Sequence, residues 1–194
     1  MSGLQEFQKL VIANASQVKG LSVGDKAPDF SLPNAFGKQV SLSEALKADI
    51  VIIKFYRGEW CPICNLDLMA VQKHLPQITA FGARLMAISP QKPENALTTI
   101  QKNSLGFEVL SDSDQEVIKA YNLQFDPGED YHQRRDLSLL NGDGSKNLPV
   151  PATFIINKEG IIEACHVEAN YTERMTPEQI LIALKEVTTK TSDQ

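Results

Sequence analysis

The sequence predicts one α/β domain, in which helices flank both faces of a mixed central sheet. Residues 50–55 and 84–89 are nearly continuous apolar runs, as expected for strands that are buried on both faces. A helical repeat of apolar residues separates these runs, and such alternation is typical of an α/β fold. Further along the chain, residues 153–157 and 161–165 flank a short turn that ends at Gly160, which predicts a β-hairpin.

The domain boundaries follow from the same patterns. Residues 1–20 are predicted to form an N-terminal helical extension, because apolar side chains recur at helical spacing between positions 4 and 18. The main domain is expected to span residues 21–188, and residues 189–194 are expected to form a frayed tail.

Within the main domain, a first hairpin of two short strands precedes the apolar runs, and helices and strands then alternate. Strands are predicted within residues 23–33 and at 39–42 and 107–110, and helices at 43–46, 93–103 and 114–121. Asp112 or Ser113 is expected to cap the helix at 114–121. The polar stretch 124–149 reads as a long loop with one short strand at 137–140.

The last helix has the clearest start signal in the chain. Thr176 and Gln179 have the spacing of a capping box, and Pro177 occupies the first helical position. The helix is expected to fray from Thr188 onward.

Composition excludes several classes of function. The 194 residues carry 24 acidic and 19 basic side chains, and the resulting charge of -5 argues against a nucleic-acid or anionic-membrane surface. No stretch of apolar residues is long enough for a transmembrane helix. The N-terminus lacks the pattern of a secretory signal, so a cytoplasmic location is expected.

Two cysteines carry the chemistry. Cys61 and Cys64 follow the apolar run 50–55 and stand where a helical pattern begins. A helix N-terminus stabilises negative charge, so a thiol placed there can be acidic and reactive. A zinc site is disfavoured because zinc needs four ligands, while Cys165 and His166 would point to opposite faces of a strand. No metal and no cofactor is predicted.

Two separated motifs carry a resemblance to a known family. The letters GDKAPDFSL at residues 24–32 and TFIINKEG at residues 153–160 resemble the opening and the late hairpin of the alkyl hydroperoxide reductase/thiol-specific antioxidant family, the peroxiredoxins. The resemblance spans about residues 21–187 and implies a thioredoxin-like fold with a mixed central sheet, helices, an N-terminal helix and a β-hairpin.

The resemblance gives the two cysteines different roles in two frames. In the peroxiredoxin pattern, the peroxide-attacking cysteine falls on Cys64, the hydroxyl position on Cys61 and the proline position on Arg57. The family's later arginine falls on Pro151, so the cysteine is present without its usual helpers. In the thioredoxin pattern, Cys61 is the nucleophile, Cys64 resolves it, and the bond before Pro151 is expected to be cis.

The neighbours of the pair have alternative roles. Arg57 either stabilises the thiolate and orients the peroxide or is a solvated loop charge. Tyr56 either donates its hydroxyl to the site or packs at the strand end. By resemblance, Trp60 flanks the site and Pro62 helps to set its redox potential. Glu59 would oppose thiolate formation if it lay close to a sulfur.

Two more distant groups are each open to two interpretations. Cys165 is either a core residue or a distant resolving thiol. His132, Arg134 and Arg135 form either a solvated charge cluster, which we favour, or a docking or lid surface in the long loop.

The predicted function is thiol-dependent reduction of hydrogen peroxide or organic hydroperoxides through Cys61 and Cys64. The disulfide that forms would be reduced by an external thiol of the thioredoxin or glutathione type. One alternative is a thioredoxin-like protein disulfide reductase, and another is a non-catalytic redox sensor or binding module. A homodimer, in which the N-terminal helix pairs subunits, is one option for its assembly.

Overall fold

The computed structural model describes residues 3–192, and its strands and helices follow the predicted order. The strands are β1 (Ser31–Pro33), β2 (Gln39–Ser41), β3 (Ile50–Phe55), β4 (Ala83–Ser89), β5 (Glu108–Ser111), β6 (Gln124–Phe125), β7 (Leu148–Pro149), β8 (Ala152–Ile156) and β9 (Ile162–Val167). The helices are α1 (Gly3–Ala15), α2 (Leu42–Leu46), α3 (Pro62–Lys73), α4 (Leu75–Ala80), α5 (Pro93–Asn103), α6 (Glu116–Ala120), α7 (Glu129–Arg134) and α8 (Pro177–Ser192).

Five strands form the central mixed sheet in the order β5-β4-β3-β8-β9. β3, β4 and β5 are parallel, and β8 and β9 add to β3 as an antiparallel hairpin. The central strand β3 is buried along its whole length, which is why its sequence is apolar without alternation. The predicted fold class is therefore confirmed.

The two faces of the sheet bury separate apolar clusters. Ile52 of β3 packs against α3 and α8 in one cluster, which also contains Cys61 and Cys64. Ile53 and Phe55 face the other side, where the β1–β2 hairpin and α6 cover them. The sheet thus places the cysteine pair on the face that is covered by α3.

A third cluster joins α1 to the segment between β6 and β7. Val11 and Ala15 of α1 are buried there against Tyr131 of α7 and Leu137. Burial of a valine side chain such as Val11 contributes about 1.5–3 kcal/mol, so α1 is held to the domain by its buried face.

Three local predictions are wrong. Residues 137–140 are not a strand: Leu137–Leu139 form a 3₁₀ helix, because the Asp136 carboxylate accepts the Ser138 N–H and stabilises a tight turn. The stretch 124–149 contains α7 and the paired strands β6 and β7, so it is not a structureless loop. The last helix does not fray at Thr188 but continues to Ser192.

Two capping predictions have clear outcomes. Thr176 and Gln179 form the reciprocal hydrogen bonds of a capping box, as predicted. The Asp112 carboxylate accepts the N–H groups of Val117 and Ile118, at 3.3 and 2.7 Å, and so satisfies the first turn of α6 from four residues before its start.

Among the described residues, no helix combines the length and the apolar character that a membrane span requires.

Candidate active site

The turn between β3 and α3 places both cysteines at a helix start. Cys61 is the N-cap residue of α3, and its Sγ accepts the backbone N–H of Cys64 at 3.3 Å. Pro62 is the first helical residue, where its missing N–H leaves no unsatisfied donor. The side chains of Cys61 and Cys64 are 1% and 0% exposed. The pair is therefore an enclosed dithiol at the positive end of a helix.

Glycine is required one step earlier in the same turn. Gly58 has φ 149°, and a Cβ on it would lie 2.5 Å from Trp60 Nε1. Only glycine allows this backbone conformation together with the close approach of the indole. The tryptophan consequently folds back over the loop beside the cysteines.

Two arginines donate to the two sulfur atoms. Arg57 Nη2 lies 3.4 Å from Cys61 Sγ, and Arg174 Nη2 lies 3.7 Å from Cys64 Sγ. Arg57 is only 5% exposed, and the Tyr171 ring stacks on its guanidinium group at 4.1 Å from the ring centroid. The solvated-loop interpretation of Arg57 does not fit this burial. A guanidinium keeps its charge when it is buried, so each sulfur has a permanent positive neighbour.

The environment separates the pKa values of the two thiols. The hydrogen bond with Cys64, together with burial, raises the pKa of Cys61. Burial alone would also raise the pKa of Cys64. The hydrogen bond from Cys61 and the charges of Arg57 and Arg174 outweigh burial and hold the Cys64 pKa well below the usual thiol range. The surroundings of the pair thus favour the thiolate form at Cys64 over that at Cys61.

A pocket of about 350 Å³ opens onto Cys61. Its walls are the aromatic rings of Phe7, Trp60, Tyr131 and Tyr171. Three arginines, Arg57, Arg134 and Arg135, also line it, and Pro62 and Ile63 complete the lining beside the sulfur. Cys64 is not among the lining residues, so Cys61 is the sulfur that faces the pocket.

Arg134 and Arg135 are part of this pocket and not only a solvated cluster. The Arg134 guanidinium lies 4.3 Å from the Phe7 ring centroid, and that of Arg135 lies 4.6 Å from the Trp60 centroid. Phe7 also stacks on Tyr131, so α1 contributes directly to the wall. Four of the five arginines in the sequence therefore surround the dithiol.

Two predicted neighbours lie elsewhere. Tyr56 donates its hydroxyl to Thr99 Oγ1 at 3.3 Å and is buried at the strand end, which raises its pKa to about 12. Pro151 is buried just before β8 and does not line the pocket. The expectation of a cis bond before Pro151 is wrong, because that bond is trans.

Glu59 and His132 each contact another side chain and do not line the pocket. Glu59 forms an ion pair with Lys102 at 3.6 Å. His132 hydrogen-bonds to Asp126 at 2.7 Å and does not line the pocket.

Cys165 lies apart from the pair. It is partly buried and packs against the apolar cluster on the opposite face of the sheet from Cys61 and Cys64. A role as resolving thiol would require it to cross the sheet, so the structure favours the packing interpretation.

Sequence reasoning missed several residues of the site. Arg174 and Tyr171 follow β9 in an irregular segment, and Phe7 lies on α1, so no local pattern linked them to the cysteines. Lys54 lies within the apolar run of β3 and was not predicted to be near the site. Its side chain is 2% exposed and pairs with Asp67 of α3 at 3.1 Å. A lysine inside a buried strand was the one signal that could have been noticed.

Fold and site together define a thioredoxin-fold thiol oxidoreductase with an acidic cysteine. Comparison with known proteins then gives the family. The AhpC/TSA family model matches residues 23–165, which is well over half of the chain. The chain belongs to this family.

Individual relatives agree with the family match. A Mycobacterium tuberculosis protein named as a peroxiredoxin is 39% identical over 156 residues, covering 80% of this chain and 88% of that protein. Peroxiredoxin Bcp of Escherichia coli is 31% identical over 103 residues, covering 53% of this chain and 65% of that protein. The crystal structure of peroxidoxin BcpB from M. tuberculosis superposes with a TM-score of 0.69 at 19% identity, covering 86% of this chain and 98% of that one. The chain is a thiol-dependent, peroxide-reducing enzyme of this family.

Proposed function

We propose that Cys64 attacks the peroxide and that Cys61 resolves the product. The Cys64 thiolate attacks one oxygen of the O–O bond, which breaks to leave a Cys64 sulfenic acid and an alkoxide or hydroxide that takes up a proton. The Cys61 sulfur then attacks the Cys64 sulfur, and the sulfenic oxygen departs as water after gaining a proton. The dithiol is oxidised to a Cys61–Cys64 disulfide, and the peroxide is reduced to an alcohol or water.

The observation that carries this assignment is the arginine contact at Cys64. Cys64 has a depressed pKa at the first turn of α3, with the Arg174 guanidinium at 3.7 Å. A thiolate is the nucleophilic form of cysteine, so the sulfur that holds the charge is the one prepared to attack. The family pattern places the attacking cysteine at the same position.

The same charge distribution suits the reductive half of the cycle. In a disulfide, the thiol with the lower pKa is the better leaving group, which here is Cys64. An external thiolate therefore attacks Cys61, the sulfur that faces the pocket. We propose a cytoplasmic location for this cycle, because three cysteines in 194 residues suit a reducing compartment that can supply the external thiol.

Stopped-flow oxidation with stoichiometric hydrogen peroxide tests the assignment. Cys61→Ser should still be oxidised rapidly and should stop at a sulfenic acid, which mass spectrometry detects after trapping with a dione reagent. Cys64→Ser should react about 100-fold more slowly or worse, because the remaining thiol lacks the lowered pKa.

The control is Cys165→Ser, which should oxidise at the rate of the unmodified protein, since that thiol packs on the other face of the sheet. Rapid oxidation of Cys64→Ser with slow oxidation of Cys61→Ser would reverse the assignment. Slow oxidation of every variant and of the unmodified protein would contradict a peroxidase cycle at this dithiol.

A further inference from the structure

The pocket beside Cys61 has the chemistry of an anion site. Its lining includes three guanidinium groups and contains no aspartate or glutamate. Among residues 3–192, Arg57, Arg134, Arg135 and Arg174 form no ion pair with a carboxylate, although the protein as a whole has a net charge of -5. Positive charge concentrated in a concave site raises the local concentration of anions.

Two buried donors in the same lining lack acceptors. Arg57 Nε and Trp60 Nε1 have no hydrogen-bond partner within the described part of the chain. Arg57 is only 5% exposed, so bulk water does not accept a hydrogen bond from its Nε–H. Buried donors are normally paired, and a ligand with acceptor oxygens would satisfy them.

Arg134 and Arg135 pack against aromatic rings at the pocket, and their N–H groups remain available. Aromatic rings pack against the guanidinium groups of Arg134 and Arg135, through Phe7 and Trp60 respectively. Stacking on an aromatic face leaves the edge of a guanidinium free to donate, and that edge matches a carboxylate in a bidentate geometry.

We propose that this pocket binds a small thiol that carries a carboxylate, and that this thiol is the reductant of the Cys61–Cys64 disulfide. The inference rests on the proposed function, since it requires Cys61 to be the sulfur that the reductant attacks. Arg134 and Arg135 bind the carboxylate, and the thiol reaches the sulfur at the base of the pocket.

The enclosure of the dithiol favours a small reductant over a protein. Cys61 is 1% exposed and lies behind aromatic walls that include Trp60 and Tyr171. A pocket of about 350 Å³ is at the small end of the range for ligand sites. A thiol of a few heavy atoms fits wholly inside this volume, whereas a protein would have to bring its cysteine past the aromatic walls.

The reduction balances with two thiols. The first thiolate attacks Cys61 Sγ, the Cys61–Cys64 bond breaks, and Cys64 leaves as a thiolate. A second thiolate attacks the thiol-derived sulfur of the mixed disulfide. The Cys61 sulfur leaves and takes a proton. Two thiols are oxidised to one small disulfide, and the enzyme regains its dithiol.

Three thiols of similar size and different charge test the proposal: 3-mercaptopropionate, 2-mercaptoethanol and cysteamine. The disulfide is formed with one equivalent of peroxide, and its reduction is followed by stopped-flow fluorescence, with each rate constant referred to the thiolate concentration. We expect 3-mercaptopropionate to react about tenfold faster than 2-mercaptoethanol, and cysteamine to be slower than both. The advantage of the anionic thiol should decrease as ionic strength rises.

Arginine variants identify the groups responsible. The double variant Arg134→Gln/Arg135→Gln should lose the preference for 3-mercaptopropionate, so that its rate constants with 3-mercaptopropionate and with 2-mercaptoethanol become similar. Arg134→Lys/Arg135→Lys retains the charge and should recover most of the preference. Arg84→Gln is the matched control, because the fifth arginine pairs with Asp49 outside this pocket.

The outcomes separate the two proposals. If peroxide does not oxidise the dithiol, the proposed function fails before the reductant is added. If the disulfide forms but the three thiols react alike, or a protein dithiol reduces it faster than any small anionic thiol, the reductant proposal is overturned. It is also overturned if the glutamine variant slows only oxidation by a carboxylate-bearing hydroperoxide, since the pocket would then serve the peroxide.

Discussion

At the scale of single residues, each sulfur of the dithiol has its own arginine. Arg57, four residues before Cys61, donates to Cys61. Arg174 follows β9 and donates to Cys64. The chemical requirement is a fixed positive charge at the thiolate, and a guanidinium can meet it from any element that reaches the sulfur.

Arg174→Gln should raise the pKa of Cys64, because it removes one of the two charges that outweigh burial. The thiolate absorbance near 240 nm disappears as the pH is lowered. The midpoint of this titration should lie about one pH unit higher in the variant than in the unmodified protein. The lowered pKa keeps Cys64 ionised on the acidic side of the usual thiol range. The variant should therefore lose peroxide reactivity first at acidic pH and least at alkaline pH.

Arg174→Lys keeps a positive charge and should shift the titration less than Arg174→Gln. An unchanged titration in Arg174→Gln would show that Arg57 and the Cys61 hydrogen bond are sufficient to hold the thiolate.

At the scale of elements, the helix that carries Cys64 is fastened to the central strand by a buried ion pair. Lys54 of β3 reaches Asp67 of α3 at 3.1 Å and also donates to Thr153 of β8 at 3.1 Å. Burial lowers the pKa of Lys54, and the carboxylate of Asp67 opposes that effect. Asp67 stands three residues after Cys64, so the pair fixes the first turns of α3 against the sheet.

Asp67→Ala should destabilise the protein by about 3–5 kcal/mol, because it leaves a buried lysine without its partner. Urea unfolding measures this loss. The double variant Lys54→Met/Asp67→Leu should recover most of the stability, since two apolar side chains of similar volume replace the pair. A loss below about 1 kcal/mol in Asp67→Ala would indicate that water reaches Lys54 in solution.

At the scale of the whole molecule, the central sheet and the cluster that joins α1 to α7 have different roles. The sheet separates the dithiol from Cys165, so one face performs chemistry while the other is packing. One part of the pocket wall comes from α1 and α7, which pack on each other outside the two sheet clusters. Stability need not be uniform in such an arrangement, and we expect this part of the wall to open without unfolding of the sheet.

Val11→Asp should release α1, because a carboxylate is costly at a position that is 1% exposed in an apolar cluster. Amide hydrogen exchange in residues 129–135 should accelerate, while exchange in β3 and β4 stays slow. Leu10→Asp is the matched control and should have little effect, since Leu10 is 47% exposed. Equal acceleration throughout the sheet would show that α1 and the core unfold as one unit.

The order of the elements could be read from the sequence because it depends on local periodicity. The apolar run of β3, the capping box at Thr176 and the cysteines at a helix start all lie within short windows. The errors came where local signals compete. Polar residues between positions 124 and 149 suggested a loop, but tertiary burial of Tyr131 and Leu137 organises them into short helices.

By itself, the sequence determined that this protein presents two thiols at the start of a helix in a thioredoxin-like fold. The tertiary structure alone decided which groups tune those thiols. Arg174 is 110 residues from Cys64, and Phe7, Tyr131 and Arg134 reach the pocket from two further elements. The physical reason is range: hydrogen-bonded helices and strands follow from neighbouring residues, whereas a thiolate responds to every charge that folding brings within a few ångströms.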